Sequence, residues 1–452
     1  MQYLCLSLLC TVLSAAPTDE KALFSAGTVT VGELTLPYRL LAPAEIDPDQ
    51  RYPLVLFLHG AGERGSDNEK QLAYLPTLLG RSPLREKFPC FLLAPQCPKG
   101  RNWDGAPLDG VIAALERVVR EHPVDLSRIY LTGLSMGGFG SWKLGSTHAD
   151  WFAAAVPICG GGEKNRVHRL LDLPLWVFHG ADDSVVPAER SRSLVETLGH
   201  WGGKPRYDEL SGVGHNSWTP AYQEDRAIGW LFEQRRDPAR AGGLTALTGP
   251  ASPLKGGQKI VFFGDSITEA AVRPGGYIHL LDAAISDESA TLIGAGISGH
   301  KVPDLQARLD RDVLAHDPDV VFIYIGINDV WHSKSGMGTP KEEYESGLRD
   351  LISRIEAKGA KVILATPTVI GEKRENELDP MLEEFAAISR RVAKETGVHL
   401  CDLRTASRSY LRILNPRDEA KGILTTDGVH LNPTGNRFLA DQAAFAIFEL
   451  LR

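Results

Sequence analysis

Long hydrophobic runs are scarce in these 452 residues. The run at 4–13 falls well short of the ~20 residues that cross a bilayer, and no other stretch is long and apolar enough, so stable membrane insertion is not expected. Positive charge is also short: 49 Lys and Arg stand against 57 Asp and Glu, for a formal net charge of −8. With no basic run or face, nucleic acid is not an expected partner. Cysteine is sparse, six in all, with no CxxC pair and no metal-ligand spacing of His and Cys. A disulfide framework and a zinc site are therefore not expected, and no metal or cofactor is implied. No internal repeat relates the two halves of the chain.

What is present is an ordinary globular composition, 43% hydrophobic and 23% charged. A length of 452 residues suggests two or three domains. Residues 1–16 combine the short apolar run with the small residues Ser14, Ala15 and Ala16. That is the pattern of a secretory signal, although no Lys or Arg precedes Lys21. It sets the expectation of a secreted or periplasmic protein. Cys5 and Cys10 would leave with it. Cys90 and Cys97 flank one apolar run and sit ~20 Å apart if that run is a strand, too far for a bridge. Cys97 and Cys159 could meet if their strands are neighbours.

From 23 to 234, short apolar runs alternate with amphipathic stretches. Strands are expected near 54–58, 91–94, 129–132, 153–158, 173–178 and 206–210, and helices near 108–121, 137–145, 189–198 and 226–233. Segment 28–41 reads as antiparallel hairpin material. Alternation of this kind predicts a mostly parallel sheet covered on both faces. Residues 235–258, rich in Gly and Pro, break the pattern and read as a linker. Alternation restarts over 259–452, so the fold class is α/β twice over.

In the first half, IYLTGLSMGG feeds an apolar run into G-x-S-x-G and then into helix-compatible sequence. Such a turn holds Ser135 in strained backbone with its hydroxyl exposed, and Gly133 and Gly137 leave room for it. A seryl hydroxyl needs a base. His215 follows the last strand in GVGHNSW, and ADDSVVP offers Asp182 or Asp183 to orient it. Together LFLHGAGERG, GLSMGGFG, AVPICGG, FHGADDSVVP and GVGHNSW resemble the esterase branch of the α/β-hydrolases, including the dienelactone-hydrolase-like and polyhydroxybutyrate-depolymerase-like enzymes. The resemblance implies Ser135 as nucleophile, His215 as general base and acid, and Asp183 rather than Asp182 as the orienting carboxylate. It also implies an oxyanion hole from the N–H groups of Ala61 and Met136, with HGAG here in place of HGGG. Trp103 and Trp218 are then expected to line the acyl or sugar side of the pocket.

In the second half IVFFGDSITEA, GAGISGH, YIGINDVW and TTDGVHLNPTG occur in that order. They resemble the SGNH or GDSL esterases, which implies a flavodoxin-like three-layer α/β/α domain. On this resemblance Ser266 attacks the ester, His430 moves the proton, and Asp427 fixes the imidazole tautomer. The oxyanion would meet the Ser266 and Gly299 N–H groups and the Asn328 side chain. Many members of that family carry Asn where Gly294 sits.

The expectation is an exported bifunctional serine esterase acting on short acyl esters, with acylated polysaccharide as partner substrate. Lysophospholipids, thioesters or peptides are alternative substrates. One half could instead serve as a binding module. Since a protonated imidazole cannot act as base, activity at both sites should fall toward acid pH.

Overall fold

A computed structural model describes residues 20–285 and 290–452 of the chain. The signal-like segment 1–16, with Cys5 and Cys10, lies outside the described residues. Among the described residues no helix is long and apolar enough to cross a membrane.

The first half builds an eight-stranded sheet from β1 (Phe24–Val31), β2 (Leu34–Leu41), β3 (Tyr52–Leu58), β4 (Phe91–Pro95), β5 (Val124–Leu134), β6 (Ala154–Ile158), β7 (Trp176–Gly180) and β8 (Arg206–Leu210). Their order is β1-β2-β4-β3-β5-β6-β7-β8. The β1–β2 and β2–β4 pairs are antiparallel and the rest are parallel. Strands β3, β4, β6 and β7 are buried at every residue, as a sheet covered on both faces requires. β1 alternates buried or half-buried with exposed residues, as its edge position allows.

The second half builds a five-stranded parallel sheet from β9 (Gln258–Gly264), β10 (Ala290–Gly296), β11 (Val320–Tyr324), β12 (Lys361–Ala365) and β13 (His399–Cys401), in the order β10-β9-β11-β12-β13. The chain leaves β9 toward one edge to make β10, then returns to the other side of β9 for β11. The carboxyl ends of β9 and β11 therefore flank a topological switch point, where open α/β sheets expose a crevice.

Between the sheets, 235–258 is not irregular throughout. It contains the helix Gly242–Thr248, packed on the C-terminal helix Pro433–Leu451. The Gly243 N–H donates to the Asp441 carboxylate at 2.6 Å. A Cβ on Gly243 would lie 2.2 Å from the Asp441 carbonyl oxygen, so the glycine that looked like a chain breaker permits close helix approach. Further ties join the halves. Trp151 Nε1 donates to the Ser409 carbonyl at 3.1 Å, and Arg169 pairs with Glu449 at 2.8 Å.

Other sequence expectations also shift. β5 starts earlier than expected, at Val124. The helix expected over 226–233 is confined to Gly229–Glu233, because Arg226 leaves helical geometry at φ −121° and ψ −120°. Helix Leu403–Leu414 went unread: Arg404 and Ser407 occupy its buried face among the leucines and mask the periodicity. Cys90, Cys97, Cys159 and Cys401 are buried free thiols. Cys97 and Cys159 cannot meet as neighbours, since β3 and β5 stand between the strands that carry them.

Candidate active sites

β5 ends at Leu134 and the helix Met136–Thr147 begins two residues later. Ser135 makes that turn alone, at φ 52° and ψ −117°. Non-glycine residues in such backbone store about 1–3 kcal/mol of strain, so the surroundings must hold it. They do so by contact. A Cβ on Gly137 would lie 1.8 Å from the Leu58 carbonyl oxygen, and one on Gly133 2.4 Å from that of Gly137. The Ser135 N–H donates to the Ile158 carbonyl at 2.9 Å.

His215 approaches from the loop after β8. Its Nε2 lies 3.0 Å from Ser135 Oγ and its Nδ1 2.7 Å from Asp183 Oδ2. A carboxylate only accepts, so Nδ1 carries the proton and Nε2 is free to take one from the serine. The other Asp183 oxygen accepts from the N–H groups of Val185 and Val186, at 2.8 and 2.9 Å. Burial opposes ionisation of Asp183, but the His215 bond and these two N–H groups outweigh it and hold the carboxyl below its usual range. Asp182 is exposed and its own N–H donates to Val213.

The loop carrying Ala61 packs beside the elbow: a Cβ on Gly60 would lie 2.9 Å from the Leu134 side chain. Buried His59 ties that loop down. Its Nε2 accepts from the Cys97 N–H at 2.9 Å, so Nδ1 donates to the Gly60 carbonyl. Burial pulls the His59 pKa down to about 4, which keeps the ring neutral in that role. Ala61 opens the short turn Ala61–Glu63 and Met136 opens the helix after the serine. Trp103 walls a cavity of ≈ 510 Å³ beside Ser135, with its indole N–H on the His59 carbonyl at 2.9 Å. Trp218 does not line that cavity. It packs edge-on against the His215 ring at 5.5 Å and against Tyr74 at 5.3 Å. Tyr74 was not singled out in the sequence; it is exposed and held at φ 65°.

One group of metal-ligating side chains is compact enough to hold an ion among the described residues: Cys159, Asp183 and His215, with ligand atoms within 4.8 Å of one another. Two of the three are already hydrogen-bonded together. Burial pushes the Cys159 thiol up to about 12, away from the thiolate a metal takes.

In the second half Ser266 opens the helix Ser266–Ala271 directly after β9, and Asp265 caps that helix by accepting from the Ile267 N–H at 3.0 Å. Ser266 Oγ lies 3.0 Å from His430 Nε2, and His430 Nδ1 lies 2.7 Å from Asp427 Oδ2. The other Asp427 oxygen accepts from the N–H groups of Val429 and His430. Against the cost of burial, the His430 bond and these N–H groups bring Asp427 down to about 2. Burial pushes Asp265 in the opposite direction, up to about 7.

Asn328 and Gly299 stand beside this serine's loop. Asn328 is buried and its amide donates to the His300 carbonyl at 3.1 Å, while Gly299 sits at φ 79°, which favours glycine. Buried Arg308 organises the loop ends. It donates to the Gly264 carbonyl at 2.7 Å, to Ala295 at 2.9 Å and to His300 Nδ1 at 3.1 Å. A side chain at Gly294 would meet Val272 Cγ1 at 2.3 Å, so Asn has no room there unless Val272 moves.

Sequence reading passed over two supports of this site. Glu372, 1% exposed, accepts from the N–H groups of Ile423, Leu424 and Thr425 and from the Thr425 hydroxyl, anchoring the strap that carries Asp427 and His430. Nothing near Glu372 in the chain signals this. Exposed Trp331 lies 6.4 Å from the His430 ring, within the YIGINDVW block already read for Asn328.

Residues 262–438 match the GDSL-like Lipase/Acylhydrolase family. An acetylxylan esterase of Geobacillus stearothermophilus is 34% identical over 208 residues, covering 41% of this chain and 91% of that protein. Poly(3-hydroxyalkanoate) depolymerase C of Paucimonas lemoignei is 31% identical over 126 residues, 25% of this chain and 28% of that protein. The crystal structure of a thermostable esterase shares 43% identity, covers 48% of this chain and 64% of that chain, and superposes with a TM-score of 0.47. The depolymerase match supports homology of the N-terminal half to esterases. With two α/β sheets and this set of relatives, the chain is a carboxylic ester hydrolase and belongs, through residues 262–438, to the GDSL-like lipase/acylhydrolase family.

Proposed function

We propose that the chain is an exported fusion of two serine esterases that removes acetyl or other short acyl groups from polysaccharide, through Ser135–His215–Asp183 and Ser266–His430–Asp427. The observation that carries this reading is the repeated spacing: each hydroxyl lies 3.0 Å from an imidazole Nε2, and each Nδ1 lies 2.7 Å from a carboxylate. At either site the hydroxyl attacks the ester carbonyl as Nε2 takes its proton, and the imidazolium returns that proton to the leaving alkoxide. Water then attacks the acyl-serine by the same route reversed. The developing oxyanion is met by the Ala61 and Met136 N–H groups at the first site. At the second it is met by the Ser266 and Gly299 N–H groups and the Asn328 amide. Trp103 serves substrate binding at the first site, while Trp218 packs behind the His215 ring. Polysaccharide as the target is supported by the acetylxylan esterase relative, and export by the signal-like residues 1–16.

Acetate and hydroxycinnamate release from native acetylated xylan, measured for the intact chain and for Ser135→Ala and Ser266→Ala, tests this. Each variant is expected to lose one component of acyl release. Hydrolysis of lysophospholipids or thioesters with no release from xylan would overturn the polysaccharide assignment.

A further inference from the structure

The cavity beside Ser135 does not end at its own walls. A second cleft, of ≈ 720 Å³, lies between the two sheets. Lys143, Ser146 and Arg166 line both spaces, so the cavity and the cleft adjoin. Ser146 and Lys143 belong to the helix that starts at the elbow, Met136–Thr147, so the junction is one face of that helix away from the nucleophile. The far wall belongs to the other half of the chain: Asp402, Thr405, Ser409 and Gln442 line it.

The two spaces differ in chemistry. Near Ser135 the walls include the rings of Trp103, Phe139 and Trp142. In the cleft hydroxyl, amide and carboxylate groups stand among apolar side chains such as Leu108, Ile112 and Phe445. An acyl chain would leave such groups unsolvated at a cost of about 1–3 kcal/mol each, whereas a polyhydroxylated ligand can hydrogen-bond to them. At the junction neither Lys143 nor Arg166 forms an ion pair or side-chain hydrogen bond among the described residues, which leaves their donors available. A small ester fits within ≈ 510 Å³ and would need none of this extension.

We infer that the cleft between the halves is the chain-binding groove of the Ser135 site. It takes the oligosaccharide beyond the acylated residue, with one wall supplied by the GDSL-like half. This rests on the reading of Ser135 as an esterase nucleophile for carbohydrate esters. The fusion then has a physical purpose, since the first site is completed by the second half.

The test uses the full-length Ser266→Ala protein, so that Ser135 alone reports, with p-nitrophenyl acetate and acetylated xylo-oligosaccharides of increasing length. KM is expected to fall as the oligosaccharide lengthens. Thr405→Trp on the far wall and Ser146→Trp at the junction are expected to abolish that length dependence. Each should lower the ratio of kcat/KM for the longest oligosaccharide to that for p-nitrophenyl acetate by roughly tenfold, through KM. A KM independent of length, or a length dependence that survives in both variants, would overturn the groove. Absence of p-nitrophenyl acetate hydrolysis in the Ser266→Ala protein is a different failure: it removes the esterase role of Ser135 itself.

Discussion

At Ser135 the imidazole partner is 21% exposed and its carboxylate 0%; at Ser266 the corresponding side chains are 41% and 49% exposed. The distances match while the means of holding them differ. At the first site His215 and Asp183 are 32 residues apart and ride on loops after two different strands, so their meeting depends on the registration of β7 and β8. At the second, Asp427 and His430 are three residues apart on one strap, pinned from below by Glu372. The two serines differ likewise: Ser135 sits in strained backbone between glycines, whereas Ser266 begins a capped helix. Equal reaction geometry can thus be reached by wide tertiary assembly or by a local strap, and the two should break differently.

The largest effect tests whether the sites are independent. Fluorophosphonate should label one serine in Ser135→Ala and one in Ser266→Ala, and none in the double variant. Each substitution should cost its own site on the order of 10⁴-fold or more in rate. A double variant that still labels would break the comparison. Next, Asn328→Ala in the Ser135→Ala background should lower the remaining kcat by roughly 10²–10³-fold if, as proposed, its side chain is an oxyanion donor there. The same substitution in the Ser266→Ala background should leave the first site's kcat in place, since the donors proposed for it are backbone groups of the other half.

Stability separates the halves further. Gly137→Ala drives a Cβ into the Leu58 carbonyl and should cost more than about 3 kcal/mol by denaturant titration, with loss of first-site activity. Asp265→Asn carries a pH signature. The folded-state pKa of Asp265 is raised to about 7, so the folded chain holds a proton that the unfolded chain releases near ~4. Its contribution to stability is greatest below that lower value and is lost as pH rises toward 7. The Asn variant keeps the cap and cannot ionise, so relative to the parent it should gain roughly 4 kcal/mol between about pH 4 and pH 8. A parallel pH profile for the two proteins would show that Asp265 does not titrate in this window. The smallest effect is expected at Gly294→Ala, where the obstacle is the end of the exposed Val272 side chain: under about 1 kcal/mol by thermal melting.

Local chemistry made much of this legible before any coordinates. G-x-S-x-G after an apolar run marks an elbow because only glycines clear the Leu58 carbonyl, and the D-x-x-H spacing on the strap is itself the hydrogen-bonded pair. Trp218 shows where legibility ended. The chain placed it beside His215, yet it packs against Tyr74, which stands far back in sequence, and so lies outside the cavity wall. Glu372 and Arg308 were silent for the same reason, since Glu372 meets the strap some fifty residues on and Arg308 reaches the Gly264 carbonyl across the fold. The helix Gly242–Thr248 was misread because its glycines serve contact with Asp441, not a turn.

By itself the sequence determined the two α/β units and most of their strands and helices, because hydrophobic period and turn chemistry act over a few neighbours. Only the tertiary structure decided that 235–258 docks a helix on its neighbour, and that the two halves enclose a cleft between them. Those outcomes depend on which surfaces exclude water together, and that is a property of packing between distant segments.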